Sequence, residues 1–149
     1  MTRMLFERDW ILAHIPHQGS MCLLDRVLDF DEHAVRCSAS SHRDAANPLR
    51  AHGRLAAVCA IEYAAQAMAV HGALLARGAD KPAPGYLASV RNVRLYRKRL
   101  DDIETDLEIE AMRIGGDAGT ILYGFTVKAG GLALAEGRAA VFLNAAAAA

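Results

Sequence analysis

Cysteine is scarce in this sequence and follows no pairing pattern. Cys22, Cys37 and Cys59 are the three in 149 residues, with no Cys-x-x-Cys spacing among them. An odd, scattered set argues against a disulfide framework or a Cys-based zinc site and leaves reduced, partly buried thiols. Net charge is missing as well: 17 Lys and Arg balance 17 Asp and Glu. That balance argues against a chain built mainly to bind nucleic acid. Arg3, Glu7, Arg8 and Asp9 stand where a signal peptide needs an apolar stretch. Glu62, Gln66 and His71 interrupt the longest candidate for a membrane span. The expectation is a soluble, cytoplasmic protein with no membrane or nucleic-acid partner. His14 and His17 are three apart but have no carboxylate or Cys cluster beside them, and no GxGxxG, phosphate loop or GxSxG occurs. Neither a metal nor a cofactor is therefore expected.

What is present is a good core. Hydrophobic residues make up 53% of the chain, enough for one domain of this length to fold without staples. We expect a single domain over residues 1–144, followed by a frayed alanine tail at 145–149. Residues 8–14 read as a short helix with Asp9 as its cap, ended by Pro16. Residues 21–30 and 34–41 read as a strand pair and 42–54 as a polar loop. Residues 55–76 are rich in Ala and Leu and apolar almost all round, which predicts a long helix buried on most faces. Strands follow at 86–96, 104–113, 120–128 and 132–143, with Gly115-Gly116 and Gly130-Gly131 at hairpin turns. The expected class is α+β: a long central helix wrapped by a curved antiparallel sheet.

Glu62 is the first candidate for chemistry. It falls in the middle of the predicted buried helix, with Gln66 on the same face four residues on. His71 belongs to another face. A carboxylate among Ala, Val and Ile must be paired, solvated through a pocket or protonated, and desolvation would raise its pKa into a range suited to proton transfer. The structural alternative is a carboxylate capped by an arginine or an amide. Gln66 would support Glu62 by a hydrogen bond or line a substrate tunnel; the alternative is a satisfied core or interface amide. His52-Gly53 precedes the predicted helix, where free backbone N–H groups would polarise a thioester carbonyl and His52 would act as a base. A loop histidine and a turn glycine are the plain alternatives. Asn47 either orients a ligand or builds the Asn-Pro turn. Arg91, Arg94, Arg97, Lys98 and Arg99 form a basic stretch. It is either a solvated strand face or, through Arg94, Arg97 and Lys98, a docking surface for an anionic carrier.

Several segments, in order, resemble one family. Residues 15–27 (Ile-Pro-His-Gln-Gly-Ser-Met-Cys-Leu-Leu-Asp-Arg-Val), Asn47-Pro48-Leu49, Ile61-Glu62-Tyr63-Ala64-Ala65-Gln66-Ala67, Gly85-Tyr86-Leu87-Ala88 through Arg97, and Ala135-Glu136-Gly137-Arg138-Ala139 are similar to segments of the 3-hydroxyacyl-acyl-carrier-protein dehydratases. The similarity is greatest to short dehydratases associated with aryl polyene and related polyketide-like pathways. The resemblance implies a hot-dog fold, a homodimer, and an acyl carrier protein or CoA thioester as partner. It also implies a site at the dimer interface, where a histidine of one subunit and a helical carboxylate of the other eliminate water. Glu62 matches that carboxylate by position. The family's His-Phe-Pro-Gly segment is absent, and Pro48 falls at the histidine's place; His52 would substitute only across a shortened loop. A hot-dog thioesterase, suggested by His52-Gly53 although Arg54 replaces a second glycine, and a non-catalytic acyl-carrier-binding subunit are the other expectations.

Overall fold

The computed structural model describes residues 6–76, 85–117 and 119–143. Strand β1 (Phe6–Glu7) leads into helix α1 (Arg8–His14). Strands β2 (Arg26–Phe30) and β3 (Ala34–Ala39) form a hairpin, and helix α2 (Ala60–Leu75) follows. Four long strands complete the chain: β4 (Gly85–Leu95), β5 (Leu107–Gly116), β6 (Thr120–Ala129) and β7 (Leu132–Leu143). They form one seven-stranded sheet in the order β1-β2-β3-β5-β6-β7-β4, and every pairing is antiparallel. The alanine tail lies outside the described residues.

The sheet curls around α2. Inward positions alternate along β6, where Ile121, Tyr123, Phe125, Val127 and Ala129 are buried. On α2, Tyr63, Ala64, Ala67, Val70 and Leu74 meet them in one core. Alternation on the strands and burial of most of the helix are two sides of one arrangement: each apolar surface removes the other from water. The stretch Ala57–Leu75 is long and apolar enough to cross a membrane by length and composition, but most of it is core of this fold. Gly130 and Gly131, both at positive φ (+57° and +81°), make the two-residue turn between β6 and β7, where a side chain would be strained.

Four local expectations need correction. The central helix begins at Ala60, not near residue 55. The backbone just before it is committed elsewhere: Leu55 N–H donates to Asp101 Oδ1 at 2.9 Å, Leu100 N–H to the Leu55 carbonyl at 2.8 Å, and Ala57 N–H to the Lys98 carbonyl at 3.0 Å. A single 3₁₀ turn, Ala57–Cys59, bridges to the helix. The strand expected from residue 21 is β2 and begins at Arg26, because residues 21–23 give backbone groups to the Gln66 side chain. Asp9 is not the cap of α1; Glu7 occupies that position, and Asp9 lies in the first turn, where a carboxylate still complements the helix dipole. Gly115 and Gly116 close β5 rather than forming the turn.

Candidate active site

Because α2 starts at Ala60, Glu62 is the third residue of its first turn and not mid-helix as expected. The dipole at this end favours a negative charge. Its side chain is 34% exposed, so the carboxylate is not sealed in the core. Oε1 stands 3.2 Å from Nε2 of His17 and accepts a longer contact, 3.5 Å, from Gln66 Nε2. The hydrogen bond from His17 is the main reason the Glu62 carboxyl is held below its ordinary range; partial burial opposes this, and Gln66 adds to the lowering. The expectation of a raised pKa is thus reversed: burial is incomplete and a donor is present.

Gln66 is fully buried and works as a clamp. Its Oε1 accepts from Leu23 N–H at 2.8 Å and its Nε2 donates to the Met21 carbonyl at 2.7 Å. It thereby fastens the segment after His17 to the helix that carries Glu62. Arg8 braces the same segment, donating to the carbonyls of Leu24 at 3.1 Å and Gly19 at 3.0 Å. Gln18 donates to the carbonyls of Leu12 and Ile15. The result is a fixed turn that presents His17 to Glu62. Sequence spacing could not single out His17: 45 residues separate it from Glu62, and the clamp that joins them is tertiary.

The other expected site residues lie elsewhere. His52 and Gly53 form an exposed two-residue turn at φ +55° and +75°, closed by Ala51 and Arg54 pairing on each other. This turn does not sit at the start of α2, so its amides gain nothing from the helix dipole. Asn47 is buried and committed to its loop: Nδ2 donates to the Ser41 carbonyl at 2.8 Å and to Tyr63 Oη at 3.2 Å, and Oδ1 accepts from Leu49 N–H at 2.8 Å. Of the two readings open for Asn47, these contacts favour the turn-building one. Arg94 is exposed and lies opposite Glu136 in the β4–β7 register, Arg97 reaches Asp102 at 3.5 Å, and Lys98 is exposed. A groove of about 300 Å³, lined by Ser89, Arg91, Ile114, Leu122, Arg138 and Ala140 among others, contains no residue of α2 or of the His17 turn. It does not belong to the Glu62 site.

A long helix enclosed by one antiparallel sheet, with a carboxylate at the open end of that helix, defines a protein of the hot-dog class. Solved structures agree on the fold. The dehydratase heterocomplex ApeI:P from Xenorhabdus doucetiae matches with a TM-score of 0.79 and 23% identity, over 89% of this chain and 90% of that one. A thioesterase from Haemophilus influenzae matches at 0.61 and 10% identity over 91% and 83%. A mutant thioesterase from Pseudomonas aeruginosa matches at 0.60 and 15% identity over 79% of each chain. Comparison with curated proteins finds no match. The model of the ApeP dehydratase family covers residues 10–149, and the chain belongs to that family. Membership assigns it to the dehydratases.

Proposed function

We propose that this protein removes water from a 3-hydroxyacyl thioester on an acyl carrier protein, giving the trans-2-enoyl thioester, in a polyene or fatty acid pathway. The observation that carries this reading is the Glu62 carboxylate: ionised, clamped at the open end of α2, and a third exposed in a chain of a dehydratase family. In the elimination the C2–H bond breaks and its electron pair forms the C2=C3 bond. The C3–O bond breaks, and the hydroxyl takes a proton to leave as water. An ionised Glu62 suits the acceptor of the C2 proton. With Glu62 ionised, the roles first expected are exchanged: His52 of an adjoining subunit, expected as the base, is our candidate to supply the proton for the hydroxyl, with the Gly53 amide beside the thioester oxygen.

A dimer fits this reading. Among the described residues strand β4 is paired on one side only, and its Leu87, Val90 and Leu95 are exposed. Such an edge favours addition of another strand. On α2, Glu62, Ala65, Ala69 and Gly72 line a half-open face that a second subunit would cover. The matched dehydratase is itself a heterocomplex, so the second subunit is either another copy of this chain or a related one.

Mass spectrometry of a 3-hydroxyacyl-carrier substrate gives the test. Loss of water with the thioester retained supports the proposal; free acid plus thiol identifies a thioesterase in which Glu62 activates water. Binding without turnover, alone or with a second hot-dog subunit, identifies an acyl-carrier-binding subunit. Where the chain is active alone, co-expression of Glu62→Gln with His52→Ala should restore part of the activity that each lacks, because mixed dimers hold one intact site. No recovery would exclude His52 of the adjoining subunit as the partner of Glu62, and a fully active His52→Ala variant would remove His52 from the mechanism.

A further inference from the structure

Imidazole chemistry makes the His17 contact more than a neighbourly one. Nε2 faces Glu62 Oε1 at 3.2 Å. Nδ1 is covered and has no hydrogen-bond partner among the described residues. A neutral ring carries its single proton on one nitrogen or the other. Protonation at Nδ1 would bury an N–H with no acceptor, the costlier kind of unmet group, whereas a buried lone pair is tolerated better. The proton therefore sits on Nε2, and the ring donates it to Glu62. A covered Nδ1 is also out of reach of a substrate, so His17 has no free nitrogen with which to relay a proton.

The carboxylate is left with one oxygen held and one open. Oε1 takes His17 and Gln66. No described residue hydrogen-bonds Oε2. We propose that His17 is the positioning residue of this site: it holds Glu62 ionised by one oxygen and turns the other, Oε2, toward the substrate. This rests on the reading of Glu62 as the reacting carboxylate, and it adds a residue from outside the central helix. The surroundings contain few other charges. Gln66 is neutral, and Cys59, one turn earlier, is a thiol whose pKa is raised by burial and by Glu62 itself. Arg8, on α1, spends its guanidinium on the carbonyls of the turn.

The assignment is separable from turnover. Carboxyl ¹³C NMR of the full-length protein, labelled at glutamate and assigned with Glu62→Gln, reads the Glu62 titration directly. His17→Ala should move that midpoint upward. His17→Gln, which keeps an N–H donor near the same place, should move it most of the way back. In turnover, the acid limb of the pH–rate profile should shift up in His17→Ala. Its kcat should fall roughly 10- to 100-fold, as loss of one orienting contact does, with little change in KM. An unchanged Glu62 midpoint in a folded His17→Ala protein overturns the proposal. So does a His17→Gln variant as inactive as His17→Ala with a normal midpoint, since His17 would then itself transfer the proton. Wild-type turnover by Glu62→Gln would defeat the dehydratase reading of Glu62, yet leave the NMR result standing on its own.

Discussion

The two ends of α2 treat polar side chains in opposite ways. Near its C-terminal end, His71 is fully buried. Nδ1 pairs with Tyr123 Oη at 2.8 Å and Nε2 with the Asp31 carbonyl at 2.9 Å, and the Tyr123 ring stands edge-on at 5.7 Å. Both ring nitrogens are paired and the ring itself is shielded from solvent. Near the N-terminal end, Gln66 is just as fully used, but what it secures is a carboxylate with an open oxygen. Closed polar networks specify packing; a network that ends on an unspent carboxylate at the surface has a remaining capacity to bind or transfer a proton. The helix thus carries one cluster for structure and one for chemistry, about nine residues apart.

Substitution separates the two most sharply at Glu62. Glu62→Gln keeps the shape and an oxygen for His17 but cannot take a proton. Turnover should fall on the order of 10²–10⁴-fold, while the melting temperature stays within about 2 °C. His71→Phe should do the reverse. It leaves the buried Tyr123 hydroxyl without its partner, while the carbonyl of the exposed Asp31 can turn to water, at about 1–3 kcal/mol, or roughly 2–12 °C in Tm for a domain of this size. The kcat of the folded fraction should be unchanged. Calorimetry beside steady-state rates on both variants checks the pair; a large stability loss in Glu62→Gln, or an activity loss in folded His71→Phe, would erase the distinction.

How much of this was legible beforehand follows from the range of each interaction. The helix between two groups of strands, the antiparallel pairing and the wrapped core came from local propensity and alternation, which the chain obeys almost throughout. Glu62 and Gln66 were visible because four residues on a helix place them on one face. The start of α2 is not legible locally, because Leu55 and Ala57 have helical neighbours in sequence but hydrogen-bond to the 98–101 segment. That boundary sets two further features: Glu62 lies in the first turn with a lowered pKa and not mid-helix, and His52-Gly53 lies away from the helix start. His17 was in view within the Pro-His turn, but nothing local to that turn points to a carboxylate 45 positions away.

Acid should also distinguish the two ends. Burial is the main cause holding the His71 pKa below its ordinary value, and the same holds for His42. For a histidine lowered in this way the unfolded chain binds the proton first. Stability is therefore full above the unfolded value near 6.5 and declines as pH falls from there toward the folded value. Glu62, lowered chiefly by His17, follows the carboxylate case: its contribution is present above the unfolded value near 4.3 and is lost as pH drops through the folded one. Denaturation midpoints measured from pH 8 to pH 3 should fall first in the histidine window. His71→Phe should shrink that first decline, leaving the part that His42 contributes, and leave the lower one in place.

The smallest expected effect concerns the basic stretch after β4. Arg97 and Asp102 form an ion pair 3.5 Å long with both side chains nearly half exposed, and such pairs contribute about 0–1 kcal/mol. Charge reversal there should barely move the melting temperature, which makes it a clean probe of docking. Arg94 is a poorer choice, because Arg94→Glu would set a carboxylate opposite Glu136 and destabilise the strand pair by like-charge contact. Arg97→Glu with Lys98→Glu avoids that contact. If an acidic carrier docks on this surface, KM for the carrier-bound substrate should rise by on the order of ten-fold at low salt, and the difference should shrink as salt screens the exposed charges. KM for a short thioester without a carrier should not change. An equal loss on both substrates would mean that the reversal disturbs the Glu62 end itself. The route for that is short: the Lys98 carbonyl accepts from Ala57 N–H at 3.0 Å, in the turn that leads directly into α2.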